Sequence, residues 1–164
     1  MAVNISVRQV RDNDFVNMVR ETIFETDVNP HQIELEITES IALDDIQYTV
    51  ETIRKLQEIG VMFSLDDFGT GYCSMNYLKR LPVNNLKIDK SFLDTVLDSK
   101  DEQCIVETII TLARTLNLVV IAEGVEKNEQ QIFLKEIRCD KAQGYLYSKP
   151  LPKEDILEML SFNK

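Results

Sequence analysis

Residues 64–72, SLDDFGTGY, set two adjacent aspartates, Asp66 and Asp67, at the end of an apolar run and before a turn with Gly69 and Gly71. Neighbouring carboxylates repel and aspartate is a poor strand residue, so the pair calls for solvent or for a cation. Other polar residues fall in comparable places: Asn4 in VNIS (3–6), Glu36 in IELEIT (33–38), Lys87 in NLKID (85–89), Glu123 in VVIAEGV (119–125) and Gln143 at the start of QGYLYS (143–148). Brought together, two or three carboxylates and an amide oxygen, with no thiolate, make a hard oxygen site suited to Mg²⁺ or Mn²⁺ rather than zinc. Adjacent aspartates can serve two metals about 3.5 to 4 Å apart, which clamp the attacking and leaving oxygens of an in-line displacement at phosphate. A lysine beside them could orient or help deprotonate the attacking water and offset phosphate charge. Singly, each residue has a plainer reading as a turn cap, a solvated strand residue or a surface amide. Glu39, for one, could cap the helix that follows it. The recurrence at the ends of different strand candidates sets the group apart.

Those candidates must position the group. VNIS, IELEIT, VMFSLDD (61–67), NLKID, VVIAEGV and QGYLYS are short β-branched or apolar runs, each a plausible strand. Between them lie stretches of helical period. Residues 42–59 put Ile46, Val50, Ile53, Leu56 and Ile59 on one face, with Gly60 where a C-terminal cap belongs, and residues 101–116 repeat the pattern with Ile105, Ile109, Leu112 and Leu116. Phe15, Val19 and Ile23 mark a helix after the first strand, Ile132, Phe133 and Ile137 one after the fifth, and Ile156, Leu157 and Leu160 a closing one. Strand and helix in alternation predict a parallel sheet with helical crossovers, either an open doubly wound sheet or a (β/α)8 barrel. An open sheet concentrates its site at one switch point, whereas a barrel collects one residue from each strand at its C-terminal mouth, so the dispersed polar residues favour the barrel. Eight strands need about 250 residues. With 164 residues and about six βα units, the expected fold is an incomplete TIM-like (β/α)8 barrel whose missing part is N-terminal.

A net charge of −10 argues against a general grip on nucleic acid, since polynucleotide phosphates are held by Lys and Arg. Cys73, Cys104 and Cys139 form no paired scaffold, which suggests reduced thiols and a cytoplasmic setting, and the single histidine, His31, nearly excludes a His/Cys zinc site. The longest pure apolar run, LVVIA at 118–122, is far too short to insert in a membrane.

IELEITES, SLDDFGTGYCSMNYLKRLPVNNLKIDKSF, VVIAEGVE and QGYLYSKPL together resemble the EAL domain, the bacterial cyclic di-GMP phosphodiesterase module, over essentially the whole chain. The resemblance implies a modified (β/α)8 barrel with one antiparallel strand that cleaves cyclic di-GMP to pGpG with two Mg²⁺ or Mn²⁺ ions. It implies that Asn4 and Glu36 bind the first metal, that Asp66 bridges both, and that Asp67 and Glu123 hold the second. Lys87 would contact the catalytic water with Glu123 assisting, Gln143 would lie near water and phosphate, and Glu39 would fasten the loop after the aspartates. That loop, residues 68–78, is implied in metal and substrate binding and in dimer signalling. For Phe68, Tyr72 and Tyr77 within it, ordinary packing is as good an expectation as substrate contact.

Two departures stand out. The Glu-Ala-Leu motif, whose glutamate is a first-metal ligand, is absent together with roughly two strands and helices and a substrate arginine, and Cys73 replaces the more usual serine. The chain therefore reads, from 1 to 164, as the C-terminal portion of a single EAL domain of impaired activity. The alternatives are a non-catalytic EAL-type receptor or interaction module and an unrelated metal-dependent barrel. Two open sheet edges and an exposed apolar interior are further expected, favouring homo-oligomers or a swapped element. Sensor or GGDEF domains are expected in the parent protein.

Overall fold

The computed structural model describes residues 1–71 and 75–161, with the side chains of 42–44, 160 and 161 left aside. Tyr72 and Cys73 therefore lie outside the described residues. In chain order the elements are β1 (Ala2–Asn4), α1 (Val7–Val10), α2 (Phe15–Thr26), a 3-10 turn (Pro30–Gln32), β2 (Glu34–Thr38), α3 (Glu39–Asp44), α4 (Ile46–Gln57), β3 (Met62–Phe68) and α5 (Met75–Leu78). There follow β4 (Asn85–Ile88), α6 (Lys90–Thr95), α7 (Lys100–Thr115), β5 (Val119–Ala122), α8 (Asn128–Glu136), β6 (Lys141–Ala142) and α9 (Lys153–Ser161). The strands form one six-stranded sheet in sequential order with every pairing parallel. This is an incomplete TIM-like barrel, and the antiparallel strand implied by the resemblance is not among these six.

Side-chain chemistry explains the local starts and stops. The Asp45 carboxylate accepts from the Tyr48 amide at the head of α4, Asp89 does the same for Ser91 at α6, and Ser99 for Glu102 at α7. Helix α4 stops where Gly60, at φ +104, gives its amide to the Gln57 carbonyl. Two differences from the sequence reading are informative. The helix expected over 42–59 is two helices, broken at Asp45, whose side chain caps the second. QGYLYS is a turn and not a strand: the sixth strand lies just before it, where Lys141 and Ala142 pair with Ile121 and Ala122.

The register divides the sheet into two faces. Val3, Leu35, Ile37, Phe63, Leu65, Leu86, Ile88, Val120 and Ala122 share one face. Most of them join Ile53, Leu56, Val106, Ile110, Ala113 and Leu134 from the helices in a single core. The opposite, inner face carries Asn4, Glu34, Glu36, Ser64, Asp66, Asn85 and Lys87. The expected apolar interior is therefore corrected. Residues of the inner parity are largely polar, and Glu36, Ser64, Asp66, Asn85 and Lys87 are buried on it.

Candidate metal and phosphate site

The cluster sits at the carboxyl ends of β2 to β5. On a regular strand, successive side chains point to opposite faces, so Asp66 and Asp67 would diverge. Here the β3–β4 register shifts between Leu65 and Phe68 while Asp67 takes a left-handed backbone, φ 54. A bulge of this kind re-aims one side chain, and aspartate tolerates that conformation better than most residues. Carboxylate oxygens of Asp66, Asp67 and Glu123 consequently lie within 4.8 Å of one another.

Lys87 occupies the middle of the acid group. Its Nζ is 2.7 Å from Glu36 Oε1, 2.9 Å from Asp66 Oδ1 and 2.7 Å from Glu123 Oε1, and the residue is only 4% exposed. Burial pushes the ammonium toward deprotonation, but its close contacts with the Glu123, Glu36 and Asp66 carboxylates outweigh it and hold the group above the ordinary lysine range. Burial raises the Glu123 carboxyl, with Lys87 pulling the other way. Burial also raises Asp67, reinforced by the Asp66 charge alongside. Asp66 Oδ1 is buried and, apart from its 2.9 Å ion pair with Lys87, has no hydrogen-bond partner among the described residues. A buried carboxylate oxygen held by an ion pair alone, beside two further carboxylates, belongs to a donor set that fits a hard divalent cation.

The turn after the aspartates is held from α3. The Gly69 amide donates to Glu39 Oε1 at 2.8 Å. A Cβ on Gly71 would collide with the same carboxylate, and one on Gly69, at φ +99, would sit 2.6 Å from the Phe92 ring. Gly69 is therefore favoured by close approach as well as by its left-handed backbone, and at Gly71 a side chain would displace the Glu39 carboxylate that holds the loop. Phe68 is packed in the core and Tyr77 is 38% exposed. On the far side, the Glu123 amide continues the ladder to the Ile88 carbonyl at 3.1 Å. Gln130 then fixes the following loop by accepting from the Glu126 and Lys127 amides and donating to the Leu93 carbonyl.

The structure thus gathers Glu36, Asp66, Asp67, Lys87 and Glu123. It places Glu39 one step outside, on the loop. Asn4 shares its register and face with Glu36 but is exposed, and no hydrogen bond joins its side chain to the cluster among the described residues. Gln143 follows β6, its backbone bonded to Ala122 and Val125 and its side chain exposed. Glu34, Ser64 and Asn85, on the same inner face, were not singled out from the sequence. Period-2 polarity through ELEIT and MFSLD was the signal available for the first two.

A family model described as the EAL domain matches residues 1–150. The chain belongs to the EAL domain family. Among curated relatives of this EAL chain, the bifunctional diguanylate cyclase/cyclic di-GMP phosphodiesterase MucR of Pseudomonas aeruginosa is 42% identical over 157 residues, covering 96% of the chain and 23% of MucR. The chain spans roughly a fifth to a quarter of the length of the curated relatives it matches. A solved structure of the PaMucR phosphodiesterase in complex with c-di-GMP superposes with a TM-score of 0.90 at 42% identity, over 94% of this chain and 63% of that one. The manganese/cyclic di-GMP complex of Klebsiella pneumoniae BlrP1 superposes with a TM-score of 0.84 at 26% identity, over 91% and 38%.

Proposed function

We propose that the chain is the C-terminal portion of a cyclic di-GMP phosphodiesterase domain and carries most of its metal-binding and catalytic residues. The observation that carries this reading is the bulge that turns Asp66 and Asp67 to the same side, within 4.8 Å of Glu123. Asp66, Asp67 and Glu123 would hold one part of a Mg²⁺ or Mn²⁺ centre, and Glu36 with Asn4 the part toward β1. Bound cations would supply Lewis acidity at a phosphate oxygen and a more acidic water. Lys87, held cationic by Glu36, Asp66 and Glu123, orients the water and offsets phosphate charge, with Glu123 beside it as an acceptor. Gln143 stands near the phosphate, and Glu39 fastens the loop over the mouth. The MucR and BlrP1 complexes support both the nucleotide and the metal class.

The test is hydrolysis of cyclic di-GMP to pGpG with Mn²⁺ or Mg²⁺, read by chromatography, for this chain beside a version extended upstream by about 90 residues, the shortfall from a full barrel. Turnover by the extended protein and weaker or no turnover by the 164-residue chain is the expected result. Silence from both would favour a non-catalytic receptor. The parent protein carries sensor or GGDEF domains on this reading, as the bifunctional relative MucR suggests. The free thiols Cys104 and Cys139 support a cytoplasmic setting, and no described helix is long and apolar enough to cross a membrane.

Among the described strands, β1 pairs with β2 alone. Beside that edge lies an apolar groove of about 430 Å³ lined by Val3, Phe15, Met18, Val19, Ile23 and Leu35. At the other end of the chain, Ile156, Leu157 and Met159 of α9 are exposed. An unpaired edge and uncovered apolar surface favour self-association, and a dimer or larger homo-oligomer by light scattering is expected. A monomer at high concentration would sink this part of the reading.

A further inference from the structure

One layer below the acid cluster, the inner face repeats the cluster's wiring without its charge balance. Barrel interiors are built in layers contributed by alternate strands, and branched apolar residues ordinarily fill them. Here β2 and β4 reach each other across β3 twice. In the upper layer Lys87 meets Glu36 at 2.7 Å. In the lower layer Asn85 Nδ2 donates to Glu34 Oε1, also at 2.7 Å. Asn85 stands two residues before Lys87, and Glu34 two before Glu36, on the same face of the same strands.

Ser64 of β3 lies between the layers. It pairs in register with Glu36 on one side and Asn85 on the other, it is fully buried, and its hydroxyl has no hydrogen-bond partner among the described residues. Asn85 is itself 3% exposed. A buried amide and hydroxyl are unfavourable unless bonded, and where only volume was needed, apolar side chains would serve at least as well. The geometry points to a positioning pair: we infer that the Glu34–Asn85 bond sets, from beneath, the spacing of β2 and β4 at which Lys87 reaches Glu36 and Asp66. Neither residue touches the reacting atoms. They act through Lys87, whose long flexible stem is aimed into the cluster from the same face of β4 as Asn85.

This inference rests on the phosphodiesterase reading for its purpose, but not for its geometry, so the test reads both. Glu34→Leu, Asn85→Leu and the conservative Glu34→Gln, which keeps an oxygen for Asn85 to bond, are compared with the unaltered chain by three measurements. These are the slowly exchanging ammonium signal of Lys87 by NMR, Mn²⁺ binding by electron paramagnetic resonance, and the thermal midpoint. Disturbing groups that orient metal ligands weakens metal binding about tenfold or more. Glu34→Leu and Asn85→Leu are therefore expected to lose the resolved Lys87 signal and to bind Mn²⁺ about tenfold more weakly, with Glu34→Gln retaining both. Glu34 is only half-buried, so its leucine variant serves if Asn85→Leu fails to fold. A lowered midpoint with Lys87 signal and Mn²⁺ affinity unchanged below it would reduce the pair to packing and overturn the inference. If the Lys87 signal responds as expected but the unaltered chain binds no Mn²⁺, the positioning holds and the metal reading fails.

Discussion

Asp66→Asn is expected to lower cyclic di-GMP hydrolysis by the upstream-extended protein about a thousandfold and to leave its fold intact. Asparagine keeps the shape of the side chain and one oxygen but removes the negative charge. Asp66 is 8% exposed, and its carboxylate lies against both Lys87 and the Asp67–Glu123 pair. Lewis-acid stabilisation of a phosphoryl transition state amounts to several kcal/mol, and about 4 kcal/mol corresponds to about a thousandfold in rate. The thermal midpoint of the metal-free protein should change little, because Glu36 and Glu123 still satisfy the Lys87 ammonium at 2.7 Å each. Steady-state rates and Mn²⁺ affinity are measured together. Activity within tenfold of the unaltered protein would remove Asp66 from the site.

The same residue shows what the sequence could and could not reveal. The alternation of short apolar runs with helical stretches was enough to predict a parallel, barrel-like sheet, because each strand's outer parity from Val3 to Ala122 is apolar but for Asp67, where the register shifts. Asp66, Glu36, Lys87 and Glu123 were visible as polar residues at strand ends, and the fold brings those ends together. What joins Asp67 to them is a backbone event, a bulge with a positive φ, and no side-chain pattern encodes it. Short helices such as α1, α5 and α6, of 4 to 6 residues, leave too little periodicity to be read. QGYLYS has the composition of a strand, yet the backbone around Gly144 approaches Val125 so closely that a Cβ would collide with it, and the segment turns instead. The polar interior was missed for another reason: Glu34 and Asn85 lie far apart in sequence, and only the register shows them stacked beneath Glu36 and Lys87.

Lys87→Met is expected to destabilise the metal-free chain by about 3 to 5 kcal/mol, the range for removing one partner from a buried ionic group, and to make its stability depend on divalent cations. Methionine preserves the apolar stem that crosses the sheet interior, so the loss reports charge and not volume. Without the ammonium, Glu36, Asp66 and Glu123 face one another with no cation among them, although each is now within 2.9 Å of Lys87 Nζ. Replacing a buried ionic group can be neutral when every member becomes apolar, but here three acids remain. For a domain of this size the thermal midpoint should fall by roughly 10 °C. Because a cation binds the folded arrangement and not the unfolded chain, millimolar Mn²⁺ or Mg²⁺ should restore part of that loss, and more of it than the same ions add to the unaltered chain. Thermal scans of both proteins with and without metal decide the matter. A drop that Mn²⁺ cannot reverse would mean that the carboxylates around Lys87 are an internal ionic network and not a metal centre.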